Sequence, residues 1–160
     1  MNYELFMGEA LAEAQVALDQ GKAPIGAVAV VDDAMVARGH DKVAEMDDPT
    51  AHAVVIALRE ASRKMGRARL ADATIFVTRE PCAMCVGAML ASDVDALVFA
   101  VSNPVDGAAG SVMQLAQDSR LARKLRVVSG IRCEEAEELF AQAAPIEQLR
   151  SGEWVKLADD

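Results

Sequence analysis

Apolar positions along the chain fall into segments of two periods. Between Tyr3 and Gln20 they recur at Leu5, Phe6, Ala10, Leu11, Ala14 and Leu18, close to every 3.6 residues, which predicts an amphipathic helix closed by Gly21. Ile25–Val31 is a continuous apolar run bounded by Pro24 and Asp32-Asp33, and Met35–Gly39 follows at once. This pattern predicts two strands joined by an acidic turn. Asp47-Asp48-Pro49-Thr50 reads as a loop that caps a helix over Ala51–Met65. Thr74–Thr78 and Ala96–Val101 read as buried strands. Between them, Pro81 is suited to the first turn of a helix that carries Cys82–Leu90. A Gly-rich loop follows over Asn103–Ser111, then a fifth strand at Leu125–Ser129 and a helix at Cys133–Ala143.

Helices alternating with buried strands predict an α/β fold, a three-layer α/β/α sandwich. The early hairpin makes its five-stranded sheet mixed. With 160 residues and no repeat or linker, the chain is expected to be a single domain over 1–160. Aromatics make up only 4% of the chain, so Ala, Val, Leu, Ile and Met must fill the core, with Met84, Met89 and Met113 among the fillers.

Net charge is −9, unusual for a chain that grips a phosphate backbone by itself. Arg59, Arg63, Lys64, Arg67 and Arg69 cluster in sequence but read as a solvated helix face and loop. No apolar run is long enough to span a bilayer, so no membrane partner is expected. The acidic first twenty residues lack the pattern of a secretory signal, which points to the cytoplasm. In that reducing compartment three cysteines, two of them in a C-x-x-C pair, point to metal or redox chemistry.

Cys82 and Cys85 stand one helical turn apart at a helix start, where orphan N–H groups and the helix dipole favour thiolate, the zinc-binding form. His52, 30 residues earlier, is the candidate third ligand. Two Cys and one His leave a fourth tetrahedral position open, the arrangement of a catalytic rather than a closed structural zinc site. A thioredoxin-like redox pair would sit earlier in the chain, after the first strand.

His52-Ala53-Val54 and Pro81-Cys82-Ala83-Met84-Cys85 resemble the H-x-E…P-C-x-x-C signature of zinc nucleobase deaminases. With Ala23–Val28, Asp48–His52, Val77–Cys82 and Gly107–Ser111, the chain is most similar to the bacterial tRNA adenosine deaminases. The resemblance runs from Leu5 to about Phe140 and implies a cytidine deaminase-like fold. It also implies Zn2+ held by His52, Cys82 and Cys85, with the Cys82 N–H near the water. The substrate would be a nucleoside or nucleobase, in tRNA for the bacterial family it resembles, and the protein a homodimer or a heterodimer with a paralogue.

The chain departs from that pattern at several positions. Val54 occupies the place of the general acid/base Glu, a role worth about 10²–10⁴-fold in rate. Glu60 lies two turns further on, and Glu80 stands where relatives that keep the catalytic Glu also have it, so neither replaces it. Asp41 occupies the place of a substrate-binding Asn; His40 beside it reads as a surface residue. Asn103 could contact a ribose, although a turn role before Pro104 fits it better. Gln142–Asp160 lacks a basic helix, and Ser102–Asp106 lacks a basic residue. The silent subunit of the eukaryotic two-subunit tRNA adenosine deaminase is similar in having Val and Asp at these two positions. The resemblance therefore implies a deaminase of the adenosine-to-inosine type impaired at Val54, with two alternatives: a non-catalytic subunit, or a deaminase of a small free base or nucleoside. Cys133 reads as a thiol without a role, and Trp154 as a docking residue of the tail.

Overall fold

In a computed structural model, which describes residues 1–143, the chain forms helix α1 (Tyr3–Asp19), the hairpin β1 (Gly26–Val31) and β2 (Ala34–His40), and a short helix α2 (Val43–Met46). Helix α3 (Ala53–Met65), β3 (Ala73–Arg79), α4 (Ala83–Ala91), β4 (Ala96–Val101) and β5 (Arg126–Ser129) follow, and residues 133–143 are helical. The strands form one sheet in the order β2-β1-β3-β4-β5. β1 runs antiparallel to β2 and β3, whereas β3, β4 and β5 are parallel, so the sheet is mixed as expected. Asp32 and Asp33 both have positive φ, 50° and 58°, which gives the two-residue turn the twist that a tight hairpin needs.

All of β1 is buried because both its faces are covered. Val28 and Val30 pack with Phe6, Met7 and Ala10 of α1, and Ala136 joins them from the last helical stretch. Ala27, Ala29 and Val31 face the other way, into a core shared with Ala57, Leu58 and Ala61 of α3 and with Val86 and Met89 of α4. The strand's period of two thus distributes one apolar run between two cores. This is the three-layer α/β/α arrangement.

Two glycines set how closely the layers approach. A Cβ on Gly26 would lie 2.2 Å from the Ala10 carbonyl oxygen of α1, and one on Gly39 would lie 2.6 Å from the Ala53 carbonyl oxygen and 2.8 Å from the Ala57 nitrogen of α3. Gly39 therefore fixes the seat of the helix that begins just after His52. Gly39→Ala is expected to cost about 1–3 kcal/mol, as overpacking of a filled interior does. A lower urea midpoint with an unchanged slope checks this.

Several details differ from the sequence expectation. Helix α3 begins at Ala53, with His52 as its N-cap, and α4 begins at Ala83, with Cys82 as its N-cap. Pro81 therefore precedes the cap instead of lying in the first turn, because Cys82 has extended ψ, 173°. Helix α2 went unpredicted; four residues carry no usable period. Met89 is fully buried, but Met84 and Met113 are 36% and 47% exposed, so they are surface residues rather than core fillers. The basic run is a paired surface: Arg59 meets Asp48 at 3.2 Å, Arg67 meets Asp72 at 2.7 Å, and Arg69 meets Asp93 at 3.0 Å. No helix among the described residues is long and apolar enough to cross a membrane. Trp154 and nearly all of Gln142–Asp160 lie outside the described residues.

Candidate metal centre and its pocket

Two helix starts meet below the ends of β1 and β3. As N-caps, His52 and Cys82 have extended backbones that turn their side chains off the helix axes, and Cys85 follows within the first turn of α4. His52 Nδ1 lies 3.6 Å from Cys82 Sγ and 3.6 Å from Cys85 Sγ. The three donor atoms lie within 4.8 Å of one another, and no other group of three such residues among the described residues does so. In a tetrahedral zinc site with bonds of 2.3 Å to sulfur and 2.0–2.1 Å to nitrogen, the S···N edge is about 3.6 Å. The set therefore has the spacing, softness and number of donors that zinc takes, with one position left facing the pocket.

Without metal the three groups share protons. The Cys85 thiol hydrogen-bonds Cys82 and pulls its pKa down to about 4, against the opposing effect of burial, and His52 adds to the fall. Cys85 is in turn pushed well up by Cys82 and by burial. His52 is raised by its hydrogen bond to Cys82, against burial, with help from the nearby Asp41 and Asp106 carboxylates.

The three donors open into a cavity of roughly 240 Å³. Its wall includes Val54, Asp41, Asn103, Asp106, Val77 and Glu80. Val54 is only 2% exposed and presents hydrocarbon beside the donors. Asp41 sits where β2 gives way to α2, and its Oδ1 accepts the Val43 N–H at 2.8 Å. The residue before it is not a surface histidine. His40 Nδ1 lies 2.7 Å from Oε1 of Glu13, a glutamate 7% exposed under α1, which ties the end of β2 to that helix. Residue spacing could not reveal this contact, since Glu13 reads as an ordinary polar position of an amphipathic helix.

Asn103 is 5% exposed, and its amide is engaged inside the loop after β4. Its Oδ1 accepts from Arg79 at 3.0 Å and from the Val105 and Asp106 N–H groups at 3.1 and 3.3 Å. Its Nδ2 donates to the Glu80 carbonyl and to Asp106 Oδ1. The turn role is therefore realised, at a position that also borders the cavity.

Glu80 organises the same loop. Its Oε1 accepts the Asn103 N–H at 3.2 Å and the Ser111 hydroxyl, and its Oε2 accepts the Ala109 and Ser111 N–H groups at 3.0 and 3.1 Å. A Cβ on Gly107 would strike this carboxylate at 2.4 Å, which explains the glycine. Burial alone would raise the Glu80 pKa, but the donors from Ser111, Ala109 and Asn103 outweigh it and hold the pKa below the usual 4.5. Such a group stabilises the fold above about pH 4.5, and the contribution is lost as pH falls through the lower native value. Glu80→Gln leaves at least one buried donor without its acceptor, at an expected cost of about 1–3 kcal/mol near neutrality. Urea midpoints from pH 7 to pH 3 should converge for the two proteins at the acid end. Sequence reading missed the roles of Glu80 and Asp106. The only available signal was a Glu abutting Pro81-Cys82 and followed by a Gly/Ser loop.

The family model for MafB19-like deaminases matches residues 1–142 of the chain. A tRNA-specific adenosine deaminase of Bacillus subtilis is 41% identical over 132 residues, 82% of each protein. A solved chain from work on A-to-I editing by tRNA:A34 deaminases superposes with a TM-score of 0.80 at 34% identity, over 84% of this chain and 97% of that one. A guanine deaminase structure from Bacillus subtilis matches with a TM-score of 0.61 at 38% identity, over 64% of this chain and 66% of that one.

Proposed function

The chain belongs to the MafB19-like deaminases, and we propose that it is a zinc-dependent hydrolytic deaminase of the tRNA type, converting adenosine to inosine, with its main proton carrier lost at Val54. The observation that carries this reading is the tetrahedral-edge spacing of His52, Cys82 and Cys85 at the floor of an open pocket. These residues would hold the metal. When bound, zinc supplies Lewis acidity and a readily deprotonated water. The chain's own residues do the rest. The N-terminus of α4, beginning with the Cys82 N–H, offers donors to charge that develops in the pocket. Asp41 accepts a hydrogen bond from the nucleoside through the carboxylate edge that Val43 leaves free. Asn103, with its amide committed to the loop, shapes the rim and meets the ribose by contact. Val77 and Val54 give the base an apolar wall and restrict water.

Two further readings have observations in their favour. Hydrocarbon at Val54 suits a non-catalytic subunit beside an active paralogue. Met84, Val112, Met113 and Leu121 are exposed apolar side chains of the kind that such a partner, or a second copy, would cover. The charge of −9 and the paired arginines suit a free base or nucleoside better than RNA. The free thiols of Cys82 and Cys85 and the absence of a membrane-crossing helix among the described residues accord with the cytoplasm.

Ammonia release distinguishes the three. The probes are an anticodon stem-loop RNA with adenosine at the wobble position, free adenosine and free guanine, tested with zinc-loaded chain and zinc-loaded Val54→Glu. Preference for the stem-loop, weakening as salt is raised, supports the tRNA reading. Turnover of free compounds alone replaces it with a small-substrate deaminase. Full metal content with no turnover by either protein replaces it with the non-catalytic subunit.

A further inference from the structure

We propose that Asp106 is a second proton carrier of this pocket, acting as general base and acid in place of the carboxylate that Val54 lacks; the inference rests on the deaminase reading above. Four residues in or beside the cavity carry acidic groups or their replacement, and three are unsuited to the role. Val54 holds no proton. Glu80 receives four hydrogen bonds on its two oxygens and is buried to 2% exposure. Asp41 takes the first N–H of α2 on Oδ1 and commits its other oxygen to binding the nucleoside.

Asp106 is arranged differently. Its Oδ1 accepts from the Asn103 amide, whose Oδ1 is held by Arg79 at 3.0 Å; the Arg79 guanidinium itself lies 5.3 Å over the Phe140 ring. Its Oδ2 has no hydrogen-bond partner among the described residues and belongs to a side chain that borders the cavity with His52 and Cys85. An orienting amide, itself anchored, behind a carboxylate with a free edge is the arrangement of a positioned acid–base.

As the water oxygen bonds to the ring carbon bearing the amine, Asp106 takes one water proton and delivers it to the adjacent ring nitrogen. It then moves the remaining hydroxyl proton to the amine. The C–N bond breaks, its electron pair leaves with ammonia, and the carbonyl of inosine forms. The reactants are the nucleoside and one water, and the products are inosine and ammonia.

The test compares the zinc-loaded native chain, Asp106→Asn, Asp106→Glu, Val54→Glu and Val54→Glu/Asp106→Asn on the wobble-adenosine stem-loop. Metal content, KM and the pH profile of kcat are read for each. Asp106→Asn is expected to lower kcat of the native chain by about 10²-fold, the low end of a proton carrier's worth, and to flatten its acid limb. Metal content and KM stay unchanged. Asp106→Glu keeps part of the rate. In the Val54→Glu background the same Asn change costs less than about 3-fold, because the new Glu carries the proton. Equal losses in both backgrounds would assign Asp106 to loop shape and overturn the proposal. So would a silent native chain beside an active Val54→Glu, an outcome that leaves the deaminase reading intact. Failure of Val54→Glu as well would fall on that reading itself.

Discussion

Val54→Glu is expected to raise kcat for wobble-adenosine deamination by about 10²–10⁴-fold, the usual worth of a positioned proton carrier. The position supports a functional carboxylate. It is the second residue of α3, where orphan N–H groups and the helix dipole stabilise negative charge, and its side chain faces the cavity beside His52. The new side chain occupies a site only 2% exposed, so the metal-free variant should lose about 1–3 kcal/mol of stability. The gain should appear in kcat with KM nearly constant, since the added group acts in the transition state and not in binding. Val54→Gln supplies the control. It has nearly the same shape and no titratable proton, so it should gain nothing. A gain with Gln as large as with Glu would mean that the site responds to polarity or packing and that proton transfer does not limit it. The measurement is single-turnover inosine formation with the zinc-loaded proteins.

Cys85→Ser should have the other large effect, on metal retention. Cys85 is 3% exposed and its sulfur faces His52 Nδ1 at 3.6 Å. A serine hydroxyl is shorter, harder and far less acidic, and cannot supply the soft anionic donor that zinc prefers. Loss of a group that merely supports a ligand costs about 10–100-fold in metal affinity, so loss of a ligand should exceed that. A second readout is thermal. Zinc that binds only the folded chain raises its stability by about 2.7 kcal/mol at a hundredfold excess over the dissociation constant. The zinc-dependent rise in Tm should therefore vanish in Cys85→Ser while the metal-free fold persists. An unchanged affinity by chelator competition would remove Cys85 from the ligand set.

Much of this molecule could be read from residue order, and what was missed follows a physical pattern. The β1 run was legible because a strand buried on both faces leaves an uninterrupted apolar signature from Gly26 to Val31. His52, Cys82 and Cys85 were legible because metal chemistry restricts ligand type and spacing so strongly. The placement of His52 and Cys82 on helix N-caps was not, since Pro81 suits either a first turn or the residue before a cap. The exposure of Met84 and Met113 could not be read from hydropathy, because an apolar side chain on an outer helix face or loop has the same composition as one in the core. Asp106 and Glu80 depend on how the loop after β4 folds back over Pro81, where the Ala108 N–H meets the Pro81 carbonyl at 2.9 Å. Nothing local in either segment encodes that encounter. His40 was misplaced for the same reason, because its partner Glu13 is 27 residues away.

On the proposed reading, His52, Cys82 and Cys85 hold one zinc ion and leave its fourth position open to the pocket. Zinc K-edge X-ray absorption on the purified chain tests it directly. The expected result is one zinc per chain, with two sulfurs at about 2.3 Å, one imidazole nitrogen at about 2.0 Å and one further light atom. A metal-free chain with Cys82 and Cys85 joined as a disulfide, or zinc bound without sulfur in its shell, would contradict it.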